Sequence, residues 1–180
     1  MTTPATPPIP QLPGGSILGK PVRQIALVVA DAEAQARAWA EHLGIGPWNL
    51  YTIGAPDLTG MTYRGRPADF RIRHALAFSG EVMLELVQPL AGESIWQEYL
   101  DRRGATLHHI AIYADDFATS AALVEADGWV AVQTGNGFGR SRDGRFAYYE
   151  HPAVEGIIVE VVQAPTDRFP PELTIPPVGR

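Results

Sequence analysis

The 180-residue chain contains no cysteine. That single absence excludes disulfides, thiolate nucleophiles, zinc ribbons and iron–sulfur clusters, and it leaves the redox compartment open. Positive charge is also short: 14 lysines and arginines face 20 acids, a net charge of −6. No basic cluster is available to release counterions from a phosphate backbone, so a nucleic-acid partner is not expected. No apolar run approaches the ~18 residues of a membrane span. The opening MTTPATPPIPQLPGG has no basic stretch followed by an apolar one. Neither a membrane nor a secretory role is therefore expected, and the chain reads as cytoplasmic. No Gly-x-Ser-x-Gly elbow occurs, which leaves covalent hydrolysis without a nucleophile. What is present is ample apolar material, 46% hydrophobic against 19% charged. That suits one ordinary domain or two small packed modules.

Both ends are rich in proline: Pro4, Pro7, Pro8, Pro10 and Pro13 at the start, and Pro165, Pro170, Pro171, Pro176 and Pro177 at the finish. Proline cannot donate to a ladder, so residues 1–21 and 165–180 are expected to lie extended as arms or disordered ends. Between them the pattern is regular. Val22–Ala30 reads as a strand. Asp31 caps a helix with Ala34, Ala38, Trp39 and Leu43 as its stripe and Gly44 as its stop. A strand near Trp48–Ile53 leads into a long polar loop. Arg71–Phe78 and Glu81–Gln88 form strands joined at Ser79-Gly80, a hairpin signal. Ser94 caps a linker helix over 93–104. The order then begins again: a strand over His108–Ala114, a helix capped by Asp116 and stopped at Gly128, and a strand over Trp129–Gln133. A glycine-rich turn at Gly135–Gly144 and strands over Arg145–Glu150 and Ile157–Gln163 complete it.

Each half therefore reads β-α-β-β-β, as one module over 22–92 and another over 105–164. The letters repeat as well as the shapes. Gln24-Ile-Ala-Leu-Val-Val-Ala-Asp31 matches His109-Ile-Ala-Ile-Tyr-Ala-Asp-Asp116, and Glu85-Leu-Val-Gln88 matches Glu160-Val-Val-Gln163. Two matches in the same order, each on a strand, point to an internal duplication. The different spacing between them falls in loops, where length varies cheaply.

The matches place Gln24, Glu85, His109 and Glu160 at equivalent points. By alternation Gln24 shares a face with Ala26 and Val28, and His109 shares one with Ala111 and Tyr113. Glu85 lies between leucines, and Glu160 interrupts Ile157-Ile-Val-Glu-Val-Val162. A carboxylate buried there without a partner costs several kcal/mol, and no lysine or arginine is near in sequence. A divalent metal ion would compensate it. Two carboxylates, an imidazole and an amide carbonyl form a mixed set suited to Zn²⁺, Ni²⁺, Co²⁺, Mn²⁺ or Fe²⁺. The plainer alternative is that all four face a solvated groove between sheets.

A duplicated β-α-β-β-β module with candidate ligands on its first and last strands resembles the vicinal oxygen chelate superfamily. That superfamily holds glyoxalase I, methylmalonyl-CoA epimerase, extradiol dioxygenases and bleomycin-resistance proteins. The stretch ELVQPLAGESIWQEYLDRRGATLHHIAI is especially similar to its glyoxalase and epimerase branch. The resemblance spans about Val22 to Gln163. It implies an α+β fold in which two duplicated modules form one curved mixed sheet, and it sets the metal ligands on Gln24, Glu85, His109 and Glu160. Function follows as a metal-dependent isomerase, epimerase or lyase acting on a small carbonyl or carboxylate compound through an enediolate. Glu160 is the first choice of base and Glu85 the second. Glu160, among β-branched neighbours, is expected to be the more desolvated and metal-dependent, and Glu85 the less constrained. A second reading is a non-catalytic binding protein of the antibiotic-resistance type. A ring-cleaving dioxygenase comes third, because Gln24 removes one of the two histidines its iron needs. Family epimerases take a glutamate base from the first module's long loop, where this chain offers only Asp57 and Asp69. By analogy with fold relatives a homodimer is expected.

Several other residues compete for a role. Gly135-Asn-Gly-Phe-Gly139 opens no helix and reads as a hairpin loop rather than a phosphate cradle. Arg140, Arg142 and Arg145 beside it are candidates to hold a substrate carboxylate, with a plain solvated turn as the favoured alternative. In a regular strand His108 points away from His109, as a packing or surface residue. His74 shares a side with Ile72 and Leu76 and is a second candidate for proton transfer. Tyr148 and Tyr149 place one phenol on each face, so one is core and the other lines the cavity, with Tyr148 next in line as base. Trp39 and Trp96 sit on helical stripes and read as core.

Overall fold

The computed structural model describes residues 19–176. The expected N-terminal arm lies almost wholly outside the described residues, and the last four residues of the C-terminal tail do too. The chain runs β1 (Gln24–Val28), α1 (Ala32–Leu43), β2 (Trp48–Ile53), β3 (Thr59–Tyr63), β4 (Arg66–Pro67), β5 (Arg71–Ser79) and β6 (Val82–Ala91). It continues α2 (Ile95–Arg103), β7 (Thr106–Tyr113), α3 (Phe117–Ala126), β8 (Val130–Phe138), β9 (Gly144–His151), β10 (Val154–Gln163) and β11 (Leu173–Ile175). No helix among the described residues is long and apolar enough to cross a membrane.

All strands join one curled mixed sheet in the order β11-β2-β5-β6-β1-β7-β10-β9-β8-β3-β4. The first half contributes β2-β5-β6-β1 and the second β8-β9-β10-β7. The halves meet where β1 and β7 run antiparallel, while β6 lies parallel to β1 and β10 parallel to β7. The register carries the duplication. Ala26 pairs with Glu85 on one side as Ala111 pairs with Glu160 on the other, and Gln24↔Ala111 mirrors Ala26↔His109 across the join.

Local chemistry sets the helices. The Asp31 carboxylate accepts from Ala34 N–H at 3.0 Å, and Gly44 closes α1 at φ 68°. Asp116 accepts from Thr119 N–H at 2.7 Å at the start of α3. Ala32, Ala36 and Ala40 let α1 approach the sheet closely, over Val29, Leu50 and Leu86. The face of β1 that carries Leu27 and Val29 packs under α1. The opposite face, with Val28, joins an aromatic cluster of Phe70, Trp96, Phe146 and Tyr148.

Three segments differ from the sequence expectation. The glycine-rich turn expected over Gly135–Gly144 shrinks to residues 139–143, because β8 continues to Phe138, pairing Gly135 with Phe146 and Asn136 with Arg145. The glycine supplies space there rather than a turn: a Cβ at Gly135 would stand 2.4 Å from Cζ of Phe146. The long loop of the first half holds the hairpin β3–β4, and β3 crosses over to pair with β8 of the second half. The proline-rich tail, expected as a free arm, adds β11 beside β2. Pro170, Pro171 and Pro176 bracket Leu173–Ile175 without interrupting it, and Ile175 is buried against the Trp48 cluster.

Phe146 is wedged among Phe70, Trp96, Phe138 and Tyr148, so its ring has nowhere to retreat. Gly135→Ala is expected to destabilise the fold by about 1–3 kcal/mol through overpacking, read as a lower midpoint in chemical denaturation. An unchanged midpoint would show that the Phe146 ring repacks freely.

Candidate functional site

The registry of the four central strands brings Gln24, Glu85, His109 and Glu160 onto one face of the sheet, around Ala26 and Ala111. These alanines are fully buried. Their small side chains leave the room into which four longer ones reach from either side. All four heads are buried, and His109 is completely so.

The heads meet at one point. Gln24 Nε2 donates to Glu85 Oε2 at 2.7 Å, lies 3.2 Å from His109 Nε2 and 3.4 Å from Glu160 Oε2. His109 Nε2 stands 3.2 Å from both Glu85 Oε2 and Glu160 Oε2. Around an ion with bonds of ~2.1 Å, neighbouring ligand atoms stand about 3.0 Å apart at a right angle and about 3.4 Å apart at the tetrahedral angle. The Glu85, His109 and Glu160 atoms, all within 4.8 Å of one another, fit that spacing. The Gln24 amide N–H₂ sits where the Glu85 and Glu160 lone pairs point. A half-turn of the amide presents Oε1 to the same place as a fourth ligand. The Tyr113 hydroxyl, 3.3 Å from Oε1, serves either orientation because it both donates and accepts.

Protonation follows the same contacts. Burial opposes charge on Glu85, but hydrogen bonds from His109 and His74, together with their charge, hold its carboxyl well below the usual carboxylate range. Burial also opposes charge on His109. Glu160, by its charge and a hydrogen bond, and Glu85 outweigh it and push the imidazole up to about 9. Burial, reinforced by the nearby Glu160 and Glu85 charges, pushes the phenols of Tyr113 and Tyr148 up, so both keep their protons.

Above the four heads lies a cavity of about 80 Å³, walled by Ile53, Ile72, Trp96, Phe138, Phe146 and Val162, with His74, Tyr113 and Tyr148 among its polar groups. It opens into an outer cleft of about 560 Å³, and Tyr51, Leu76, Met83, Tyr113 and Arg168 line both.

The family model described as the glyoxalase/bleomycin resistance protein/dioxygenase superfamily matches residues 23–149. The chain belongs to that superfamily. A methylmalonyl-CoA epimerase from Mycobacterium tuberculosis superposes with a TM-score of 0.58 at 19% identity, covering 84% of this chain and 93% of its own. A hypothetical protein, BH1468, from Bacillus halodurans C-125 gives 0.56 at 19%, covering 82% and 96%. A Streptomyces coelicolor methylmalonyl-CoA epimerase variant in complex with 2-nitronate-propionyl-CoA gives 0.56 at 16%, covering 84% and 99%. At such identities the likeness shows the shared fold. No curated protein is significantly similar in sequence.

Within this superfamily member, the structure departs from the sequence reading at several side chains. His108 does not point away. Ala26 pairs with His109 while Leu27 pairs with Leu107, so β7 carries a bulge that inserts His108 and turns its ring inward. His108 is fully buried and its Nδ1 stands 2.8 Å from His109 Nδ1. Burial and the His109 charge push its imidazole well below the usual range. Neutral His108 therefore accepts from His109 Nδ1–H, and this leaves His109 Nε2 aimed at the site. Glu85, expected to be the less constrained carboxylate, is the more tightly held. His74 Nδ1 sits 2.6 Å from its Oε1, while Gln24 and His109 take Oε2. Alternation along its own strand could not reveal a partner on the neighbouring one. Arg140 and Arg142 are spent on Asp167 and Asp57 at 3.5 and 3.4 Å, and neither they nor Arg145 line the cavity. Tyr149 turns to Glu125 on α3, so Tyr148 is the phenol in the cavity. Trp96 lies in the core and also forms part of the wall. Tyr113 and Arg168 were missed. Tyr113 was within reach, since it alternates with His109 on one face.

The raised His109 value fixes the sign of two outcomes. Its imidazolium stabilises the metal-free fold below about pH 6.5, and that contribution is lost as pH rises through about 9; the Glu85 contribution is lost on acidification. Thermal melts of metal-free protein should therefore fall as pH rises from about 6.5 to about 9 and level off beyond it. An ion must also displace the His109 proton, so Zn²⁺ titration at neutral pH should release about one proton. Calorimetry in two buffers of different ionisation enthalpy measures it, and release of none would place the ion elsewhere.

Proposed function

We propose that the protein is a metal-dependent isomerase or epimerase that moves a proton at the carbon next to a carbonyl group. The observation that carries this reading is the convergence of Gln24, Glu85, His109 and Glu160 within hydrogen-bond distances at the floor of an apolar cavity. These four residues would hold the ion. A divalent cation there supplies Lewis acidity toward a carbonyl oxygen and so lowers the barrier to loss of the adjacent proton.

The two glutamates divide the remaining work. Both oxygens of Glu85 are engaged, by His74 on one side and by Gln24 and His109 on the other. It is the holding carboxylate. Glu160 contacts His109 and Gln24 through Oε2 alone and lines the cavity. It is the base: the C–H bond breaks, its carboxylate takes the proton, and the electron pair moves to the carbonyl oxygen as an enolate. Tyr148, protonated and beside Glu160, donates a hydrogen bond to the developing negative charge. His74, on the Glu85 flank of the cavity, carries a proton for return to the opposite face. Asp57 is paired with Arg142 and Asp69 is exposed, and neither lines the cavity. A base from the first module's loop therefore has no candidate here, and Glu160 fills the role. The apolar walls also exclude water, which strengthens every charge interaction inside. A homodimer belongs to the same proposal, checked by light scattering for twice the 19.5 kDa chain mass.

The test compares Glu160→Gln with Glu85→Gln in protein loaded with Co²⁺. Deuterium uptake from D₂O at the α-carbon is followed by NMR with methylmalonyl-CoA and a set of small 2-oxo and 2-hydroxy carbonyl compounds. Glu160→Gln should keep the metal and lose roughly 10²–10⁴-fold in exchange, while Glu85→Gln should lose mainly metal affinity. A parent protein that binds no transition metal and exchanges no substrate proton would leave the binding-protein reading in place.

A further inference from the structure

The segment 165–169 crosses the mouth of the cavity on its way to β11, and its anchorage is detailed. The Asp143 carboxylate accepts from Thr166 N–H at 3.1 Å and from its hydroxyl at 2.9 Å; Asp167 N–H donates to Ser141 Oγ at 3.2 Å; Arg140 N–H donates to Asp167 O at 2.9 Å. Pro165 is buried against Gly139, where a Cβ would stand 2.3 Å from the proline ring. The polar turn between β8 and β9 thus serves as a clamp for the tail.

This clamp fixes Arg168 at the mouth. Arg168 lines both the cavity and the outer cleft, and its guanidinium lies against the Tyr113 phenol. The other cation of the outer cleft, Arg23, is paired with Glu81 at 3.2 Å. No carboxylate among the described residues pairs with Arg168. A divalent ion between Glu85 and Glu160 would neutralise them, leaving Arg168 as an unmatched positive charge above a neutral floor.

We propose that Arg168 binds a carboxylate of the substrate and that the substrate is therefore a short oxo acid with an apolar substituent. The inference rests on the metal-assisted reading of the floor. Tyr113 stands between the two ends, beside the guanidinium above and 3.3 Å from Gln24 Oε1 below. Arg168 and the floor carboxylates line the same cavity of about 80 Å³, and so small a space suits a carboxylate one or two carbons from the activated carbonyl, as in a 2-oxo or 3-oxo acid. A guanidinium fork matches a carboxylate in two parallel hydrogen bonds. Ile53, Ile72, Phe138 and Phe169 supply apolar surface for the remainder of the molecule.

The experiment is calorimetric binding of 2-oxobutyrate and of its uncharged methyl ester to the parent, Arg168→Gln and Arg168→Lys. It is run on metal-free and Co²⁺-loaded protein, with Co²⁺ affinity measured for each variant. The metal-free arm removes direct chelation of the acid. The parent should bind the acid about tenfold or more tighter than the ester. Arg168→Gln should bring that ratio near one with Co²⁺ affinity unchanged, and Arg168→Lys should restore part of it. No acid preference in the parent, a preference that survives in Arg168→Gln, or no binding of either compound would overturn the proposal. If Co²⁺ fails to bind while the preference still follows Arg168, the metal reading falls and this one stands. The reverse pattern separates them the other way.

Discussion

Burying Glu85 and Glu160 around a single imidazole nitrogen leaves the hollow of the sheet negative even after His109 takes up a proton. Ion-sized charges lose several kcal/mol of hydration in such a place, and the fold must return it through contacts. It does so in layers. The Gln24 amide donates to the centre, His74 holds the outer oxygen of Glu85, and His108 accepts from the back of His109. What these neutral or singly charged groups cannot supply is a second positive charge at the point where three ligand atoms converge. A divalent ion held by Glu85, His109 and Glu160 would supply it.

The geometry of that point depends on two alanines as much as on the ligands. Ala26 and Ala111 are related by the duplication and stand at the centre of the four strands. Any larger side chain at either place would occupy the space where the four heads meet. Symmetry of the backbone therefore creates the site, and the small residues keep it open.

Much of this was legible in the chain because it obeys short-range rules. Strand alternation, the Asp31 and Asp116 caps, and two repeated strand sequences were enough to set Gln24, Glu85, His109 and Glu160 on one face. The rest needed neighbours that sequence order does not give. Whether His108 follows its strand or bulges depends on pairing with Ala26 and Leu27 of β1. Gly135 carries the same letter whether it makes a turn or clears space for Phe146. The tail looked featureless because proline hides both strand and helix periodicity, yet it delivers β11 and carries Arg168 to the mouth. The restraint on Glu85 comes from His74 on the adjacent strand, which no reading along β6 could weigh.

Divergence of the two halves then gives the two glutamates different chemistry from equivalent backbone positions. In the first half Leu76 pairs with Glu85 and His74 with Val87; in the second Tyr148 pairs with Glu160 and Phe146 with Val162. His74 thus corresponds to Phe146, and Leu76 to Tyr148. Glu85 gained an imidazole that ties down its free oxygen, while the corresponding place near Glu160 holds a phenyl ring that ties down nothing. Glu160 instead gained a phenol that keeps its proton and can share it with a developing oxyanion. Where one half places an imidazole at the centre, the other places an amide, Gln24, which brings an oxygen without a second titrating nitrogen. Equivalent positions in the duplicated strands thus hold one carboxylate engaged through both oxygens and another that meets its partners through Oε2 and faces the cavity.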